Sequence, residues 1–359
     1  MPSGNVWNHR HRILYNQNRE KKELAKNVPN PMSDIYKRLS EIGFDRKFVK
    51  EHVLPDWWDD ELGGDPPSRF MAEFDIARHL GLDFSKLADP ASPLSLQPVK
   101  EFRLKHSRGA APADMLPAVV VAQRAAKLVL DQRKLLHPFR GMPTAHDARE
   151  TILRSAERID LKSIVDFAWD HGIAVIHLDP RNMPRKGRKF HAMAFFPGSH
   201  PVVVLAFGSD SPPRLGYHLA HELGHLFCKH VEPGGDCLVD SEIDEIDDDR
   251  QEQEAGEFAM ELLTGERHFA LPPCGPRLDS VVETARRLGE TLRADAGSVA
   301  LFIGRSTGNW MLAQLALDRL EQNAGAQAII ADALRAHLDL EDLPESTERF
   351  LSCLSAQLV

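Results

Sequence analysis

Residues 217–230 read "YHLAHELGHLFCKH", and the placing of three polar groups in this otherwise apolar run decides how the rest of the chain is read. His221 and His225 are four positions apart, so on a helix both imidazoles leave one face about a turn apart, within reach of one metal ion. Glu222 points roughly 100° around the axis from His221, where it can approach water at that ion without being a ligand. H-E-x-x-H on a helix is the pattern in which two histidines hold Zn2+ and the glutamate works as general base. Gly224, mid-helix, costs ~1 kcal/mol relative to alanine, which implies a close approach by another backbone or by substrate.

A catalytic zinc takes three protein ligands and keeps one position open, so a further donor is required. The segment "EQEAGEFAMELLTG", from Glu252 to Gly265, has helical periodicity, with Ala255, Phe258, Ala259, Leu262 and Leu263 on one face. At ~100° per residue Glu252 falls roughly 50° from the middle of that face and Glu254 about 110° away. The interior is costly for an unpaired carboxylate, so Glu252 is the favoured third ligand and Glu254 its competitor. His218 shares the face of the histidine pair and reads as a packed or supporting residue. Tyr217, His230 and Arg250 are oxyanion-stabilising candidates, for which exposed or structural roles are the plainer reading. Cys228 and Cys237 flank the motif closely enough to approach a metal.

Ahead of the motif the period changes. "IAVIHL", "HAMAFF" and "PVVVLAF" are apolar, partly β-branched runs of strand length, and the last is expected to offer an edge for an extended peptide. "SDSPPRLG" supplies Ser and Asp caps and prolines for a helix entrance. After His230, "VEPGGDCLVDSEIDEIDDDRQEQE" reads as a turn followed by a solvated acidic loop. Helical patterns occupy 33–89, with a connector at 90–98, and resume in "DMLPAVVVAQRAAKLVLDQRKLL", "TILRSAERI" and "LKSIVDFAWDHG". Helices are also expected near "SVVETARRLGETL", "SVALFIGR", "NWMLAQLALDRLE" and "AIIADALRAHL".

The 359 residues are 42% hydrophobic with a net charge of −9, which argues against a chain-wide nucleic-acid binder. Residues 1–50 nevertheless hold eleven Lys/Arg against five Asp/Glu, so the leader is a possible contact for DNA phosphates. No apolar run approaches the ~20 residues of a membrane span, and the four scattered cysteines form no framework. The expectation is a cytoplasmic protein with reduced thiols and no membrane partner.

These residues resemble the ImmA/IrrE (DUF955) metallopeptidases. The family's strand, strand, arginine-led H-E-x-x-H helix and later glutamate helix are matched by "HGIAVIHL", "PVVVLAF", "RLGYHLAHELGHLFCKH" and "EQEAGEFAMELLTG". The resemblance covers about residues 155–265. It implies His221, His225 and Glu252 as zinc ligands and Glu222 as catalytic glutamate. Gly256 stands where the family has asparagine, and "LLTG" lacks its proline. It further implies a cytoplasmic zinc endopeptidase that cleaves helix-turn-helix repressors in stress, mobile-element or phage-defence control. "FDIARHLGLDFSKL" is similar to part of a helix-turn-helix module. The alternative is a non-catalytic regulatory module that binds DNA or a partner protein.

The chain thus reads as α+β: a zincin-like core of a small sheet plus the H-E-x-x-H helix, flanked by helical regions. The segments are a basic leader (1–32), a helical region with a degenerate helix-turn-helix (33–112), the zinc metallopeptidase domain (113–270) and a helical carboxyl-terminal region (271–359).

Overall fold

The computed structural model describes residues 31–105, 112–132, 138–184, 190–240, 250–270, 275, 277–320, 325–339 and 343–355. Most of the basic leader, the acidic run at 241–249 and Cys274 lie outside them. The architecture is mixed α+β. Five short strands form one sheet in the order β1-β5-β3-β4-β2: β1 Phe102–Lys105, β2 Ala174–His177, β3 Ala192–Phe195, β4 Val202–Leu205 and β5 Cys237–Asp240. β2 pairs β4 and β1 pairs β5 in parallel, while β3 is antiparallel to both β4 and β5. Residues of β2 to β5 are buried on both faces, which is why "AVIH", "AMAF" and "VVVL" are continuous apolar runs and not alternating ones.

Two strands correct the sequence reading. β5 lies inside the stretch read as a turn and acidic loop, and β1 follows the 90–98 connector. Their four residues are too few to show a period, and the acids after Asp240 hide the buried "CLVD". The expected edge at "PVVVLAF" is also corrected. β4 is hydrogen-bonded on both sides, by β2 and β3, so a peptide cannot add there.

The helices are α1 Pro31–Glu41, α2 Pro66–Leu80, α3 Phe84–Ala88, α4 Pro112–Asp131, α5 Ala145–Leu153, α6 Leu161–Asp170, α7 Pro212–Phe227 and α8 Arg250–Thr264. Beyond them come α9 Leu278–Leu292, α10 Ala296–Thr307, α11 Trp310–Leu320, α12 Ala326–His337 and α13 Glu345–Leu354. Three short helical segments in the amino-terminal region carry no label. The "TILRSAERI" helix ends at Leu153, and Ile159 instead bridges to Ala294. In the stretch similar to a helix-turn-helix, α2 ends at the left-handed Gly81 and α3 has five residues, under two turns. Among the described residues no helix is long and apolar enough to cross a membrane.

One core runs from Met32 to Leu354 and takes in the sheet, α7 and α8. A second, smaller cluster joins α9, α10 and α11 through Val281, Ala285, Leu288, Val299, Ile303 and Ala316. α7 sits on β3 and β4 and packs most extensively against α8.

Candidate metal centre

α7 begins with Pro212 and Pro213 in its first turn, where a missing N–H costs nothing. Ser211 occupies the cap position, where its side chain makes no capping hydrogen bond. Asp210 serves a different helix: its carboxylate accepts from Gln327 N–H at 2.9 Å, at the start of α12. The last turns of α7 carry His221, Glu222 and His225, all buried. Gly224 has a backbone reason. A Cβ there would meet Ala255 O at 2.8 Å and Ala255 Cα at 2.9 Å, so glycine lets α8 lie against α7 and brings Glu252 to the histidines.

The donors then converge. His221 Nε2 is 3.1 Å from Glu252 Oε2 and 3.2 Å from His225 Nε2, and His225 Nε2 is 3.4 Å from Glu252 Oε1. Donor atoms around a tetrahedral zinc with ~2.0–2.1 Å bonds stand roughly 3.3 Å apart, so these separations fit such an ion. A fourth residue joins them. Asp240, the last residue of β5, has Oδ2 at 3.7 Å from His221 Nε2 and 3.9 Å from His225 Nε2. One donor atom from each of His221, His225, Asp240 and Glu252 lies within 4.8 Å of the others, and all four residues are buried. Lone pairs crowded around one point in a dry interior repel unless a cation or a shared ring proton lies among them.

Glu222 is fully buried beside this cluster, in hydrogen-bonding contact with Asp240. Burial raises its pKa well above the usual carboxylate range, and the negative charges of Asp240 and Glu252 push it further. Burial also lowers His225, keeping the neutral ring that a metal requires, although Glu252 opposes the shift.

Glu254, the competing ligand, lies outside the cluster and accepts from Arg250 Nε at 2.7 Å. Its other oxygen is 3.0 Å from His230 Nε2, whose Nδ1 is 3.0 Å from Nδ1 of His225. The proton inventory fixes the tautomers. A His225 that presents a lone pair on Nε2 carries its proton on Nδ1, so His230 accepts there and donates from Nε2 to Glu254. This Glu254–His230–His225 chain was not legible before the fold was known. His230 reaches it because Lys229 turns left-handed (φ 63°) just after α7.

His218 packs against Phe207, with ring centroids 4.4 Å apart, and its burial lowers the pKa to about 3. Tyr217 accepts a hydrogen bond from Arg305 Nη1 at 3.0 Å. Cys228 and Cys237 are free thiols outside the cluster, with Cys237 buried against Met193.

A cleft of about 690 Å³ opens over His221 and Glu252. α7 contributes Tyr217 and His218, α8 contributes Gly256 and Met260, and α10 and α11 supply Phe302, Arg305 and Trp310. A Cβ at Gly256, which lines the cleft, would meet nothing within 4 Å. The missing proline is also accounted for. Thr264 Oγ donates to Met260 O at 2.7 Å and accepts from Glu266 N–H at 3.2 Å, and Gly265 takes φ +90°, which together end α8.

Residues 168–295 match the family model described as Peptidase_M78, IrrE N-terminal-like domain. This stretch is similar to the IrrE N-terminal-like domain. The matched family is one of metallopeptidases. The IrrE-like segment begins within α6 and ends past α9, so it carries β2–β5, α7 and α8, and with them every donor of the cluster. It reaches further towards the carboxyl terminus than the 155–265 resemblance, because α9 shares no quoted motif. The cleft residues from α10 and α11 lie outside it. No curated protein and no solved structure matches the chain.

Proposed function

We propose that the chain is a zinc-dependent endopeptidase with a zincin-like core of the gluzincin type. The observation that carries this reading is the convergence of His221, His225 and Glu252 on one buried point under an open cleft, with Glu222 beside it. A divalent zinc held there supplies a Lewis acid for a peptide carbonyl and activates water. Glu222, fully buried beside the donors, would take the proton of the attacking water and return it to the leaving amine. The Tyr217 phenol, held by Arg305, faces the cleft where the carbonyl oxygen gains charge. Phe302, Met260 and Trp310 give the cleft apolar walls for side chains of an extended polypeptide.

The substrate we propose is a regulatory protein of the helix-turn-helix repressor type, cleaved in the cytoplasm in stress, mobile-element or phage-defence control. Support comes from the family match and from a cleft open enough for a chain. The test is coexpression with candidate repressors, read by intact mass. Glu222→Gln should lower cleavage by about 10²–10⁴-fold while zinc content stays at one per chain. A variant that cleaves like the wild type overturns the assignment.

One observation favours a second reading, a non-catalytic module that binds DNA or a partner protein: the cluster holds a fourth protein donor, Asp240, and four protein donors make a closed, structural type of zinc site. The basic leader that would meet DNA lies almost wholly outside the described residues.

A further inference from the structure

Asp240 belongs to no motif, yet nothing in the fold explains it except the cluster. It is 1% exposed, and its only basic neighbours among the described residues are the His221 and His225 rings. Neither carboxylate oxygen accepts a hydrogen bond from a backbone N–H, lysine or arginine, and the group against it is the buried Glu222 carboxyl. Its backbone is held at the sheet end, where His191 N–H donates to Asp240 O at 2.7 Å. A strand end so fixed aims the side chain at α7 without loop freedom. Two neutral imidazoles with the carboxylates of Glu252 and Asp240 carry two negative charges, the complement of a divalent cation. A buried carboxylate without such a partner is strongly unfavourable.

We infer that Asp240 is the fourth protein ligand of the metal in the resting protein, so that no position is open to an added ligand until its carboxylate withdraws. This rests on the metallopeptidase reading and deepens it. The cleft and Glu222 supply what catalysis needs, and Asp240 determines when the ion is accessible. It also reconciles the closed donor set with a catalytic family, since a closed resting site opens by the movement of one side chain.

The experiment compares full-length wild type, Asp240→Asn and Asp240→His. Zinc affinity is measured by competition with a chromophoric chelator, and azide uptake by the visible spectrum of the cobalt-loaded proteins. Loss of neighbours of a metal ligand costs 10–100-fold in affinity, so loss of a ligand should weaken zinc binding at least about 100-fold in Asp240→Asn. Asp240→His, which offers a nitrogen donor, should recover most of that. Azide should perturb the spectrum of Asp240→Asn and leave that of the wild type unchanged. An asparagine variant within tenfold of wild type, or a wild type that takes up azide as readily as the variant, overturns the inference. The wild-type azide titration stands even if a variant fails to fold. Failure of the wild type to bind either metal would instead remove the metallopeptidase reading, so the two failures are distinct.

Discussion

Two buried groups of charges in this molecule are built differently. In the amino-terminal helices Asp60 is 7% exposed and completely served by its neighbours. Tyr36 Oη donates to it at 2.7 Å, Trp58 Nε1 at 3.2 Å and Lys50 Nζ at 3.3 Å, and Arg46 pairs with it as well. Burial alone would raise its pKa, but the bonds from Tyr36, Arg46, Trp58 and Lys50 outweigh that and hold it below the usual range. At the other group Glu222, Asp240 and Glu252 face one another and two histidines, with no lysine or arginine paired to Asp240 among the described residues. The first group is electrically complete within the protein. The second contains no lysine or arginine among the described residues and has the make-up of a candidate metal site.

The sharpest way to break the comparison is to remove the ion. With metal at about 1,000 times its dissociation constant, binding adds roughly 4 kcal/mol to stability. Scanning calorimetry of the zinc-loaded protein should therefore show a Tm lower by several degrees after chelation. An unchanged Tm would place the second group with the first. Next, Asp60→Ala leaves buried donors unpaired and should cost about 3 kcal/mol in denaturant unfolding, with zinc content unaltered. Loss of zinc from that variant would show that the two groups are not independent.

The smaller effects sharpen the distinction. His230→Ala removes the acceptor that fixes the His225 tautomer and should weaken zinc binding by about 10–100-fold in a chelator competition, with the fold intact by circular dichroism. An affinity within twofold of wild type would contradict the tautomer argument. The pH dependence of the chelated protein should carry both signs. Asp60, with a lowered folded pKa, gives stability that is present above its unfolded pKa and lost as pH falls through the folded one. Glu222, with a raised folded pKa, gives stability that is present below its unfolded pKa and lost as pH rises through the folded one. Glu222→Gln should thus raise the Tm of the chelated protein at neutral pH and flatten its fall above about pH 4.5. A neutral-pH Tm equal to that of wild type would mean the carboxylate is relieved some other way.

What could be read from the chain followed from period and spacing. The α7 motif, the phase that selects Glu252 and the apolar runs of β2 to β4 all repeat a local geometry within a few residues. Asp240 could not be found that way, because its importance comes from β5 lying between β1 and β3 with its end beneath α7. The only local signal is an apolar run between a Gly-Gly turn and acids. α13 falls within the region expected to be helical, although no separate motif in "ESTERFLSCL" marked its bounds. The α10 and α11 residues of the cleft reach it through tertiary packing alone. Gly224 lay between these cases: its cost was visible, but whether backbone or substrate approached was settled by Ala255.

That contact makes residue 224 a spacer between two jaws. His221 and His225 ride on one helix and Glu252 on the other, so the bite available to an ion is set by how closely the two backbones approach at Gly224. A single methyl group inserted there would wedge the jaws apart without touching a donor atom. For an ion held there, the bite would therefore be set partly by an absence of volume, at a position that binds nothing.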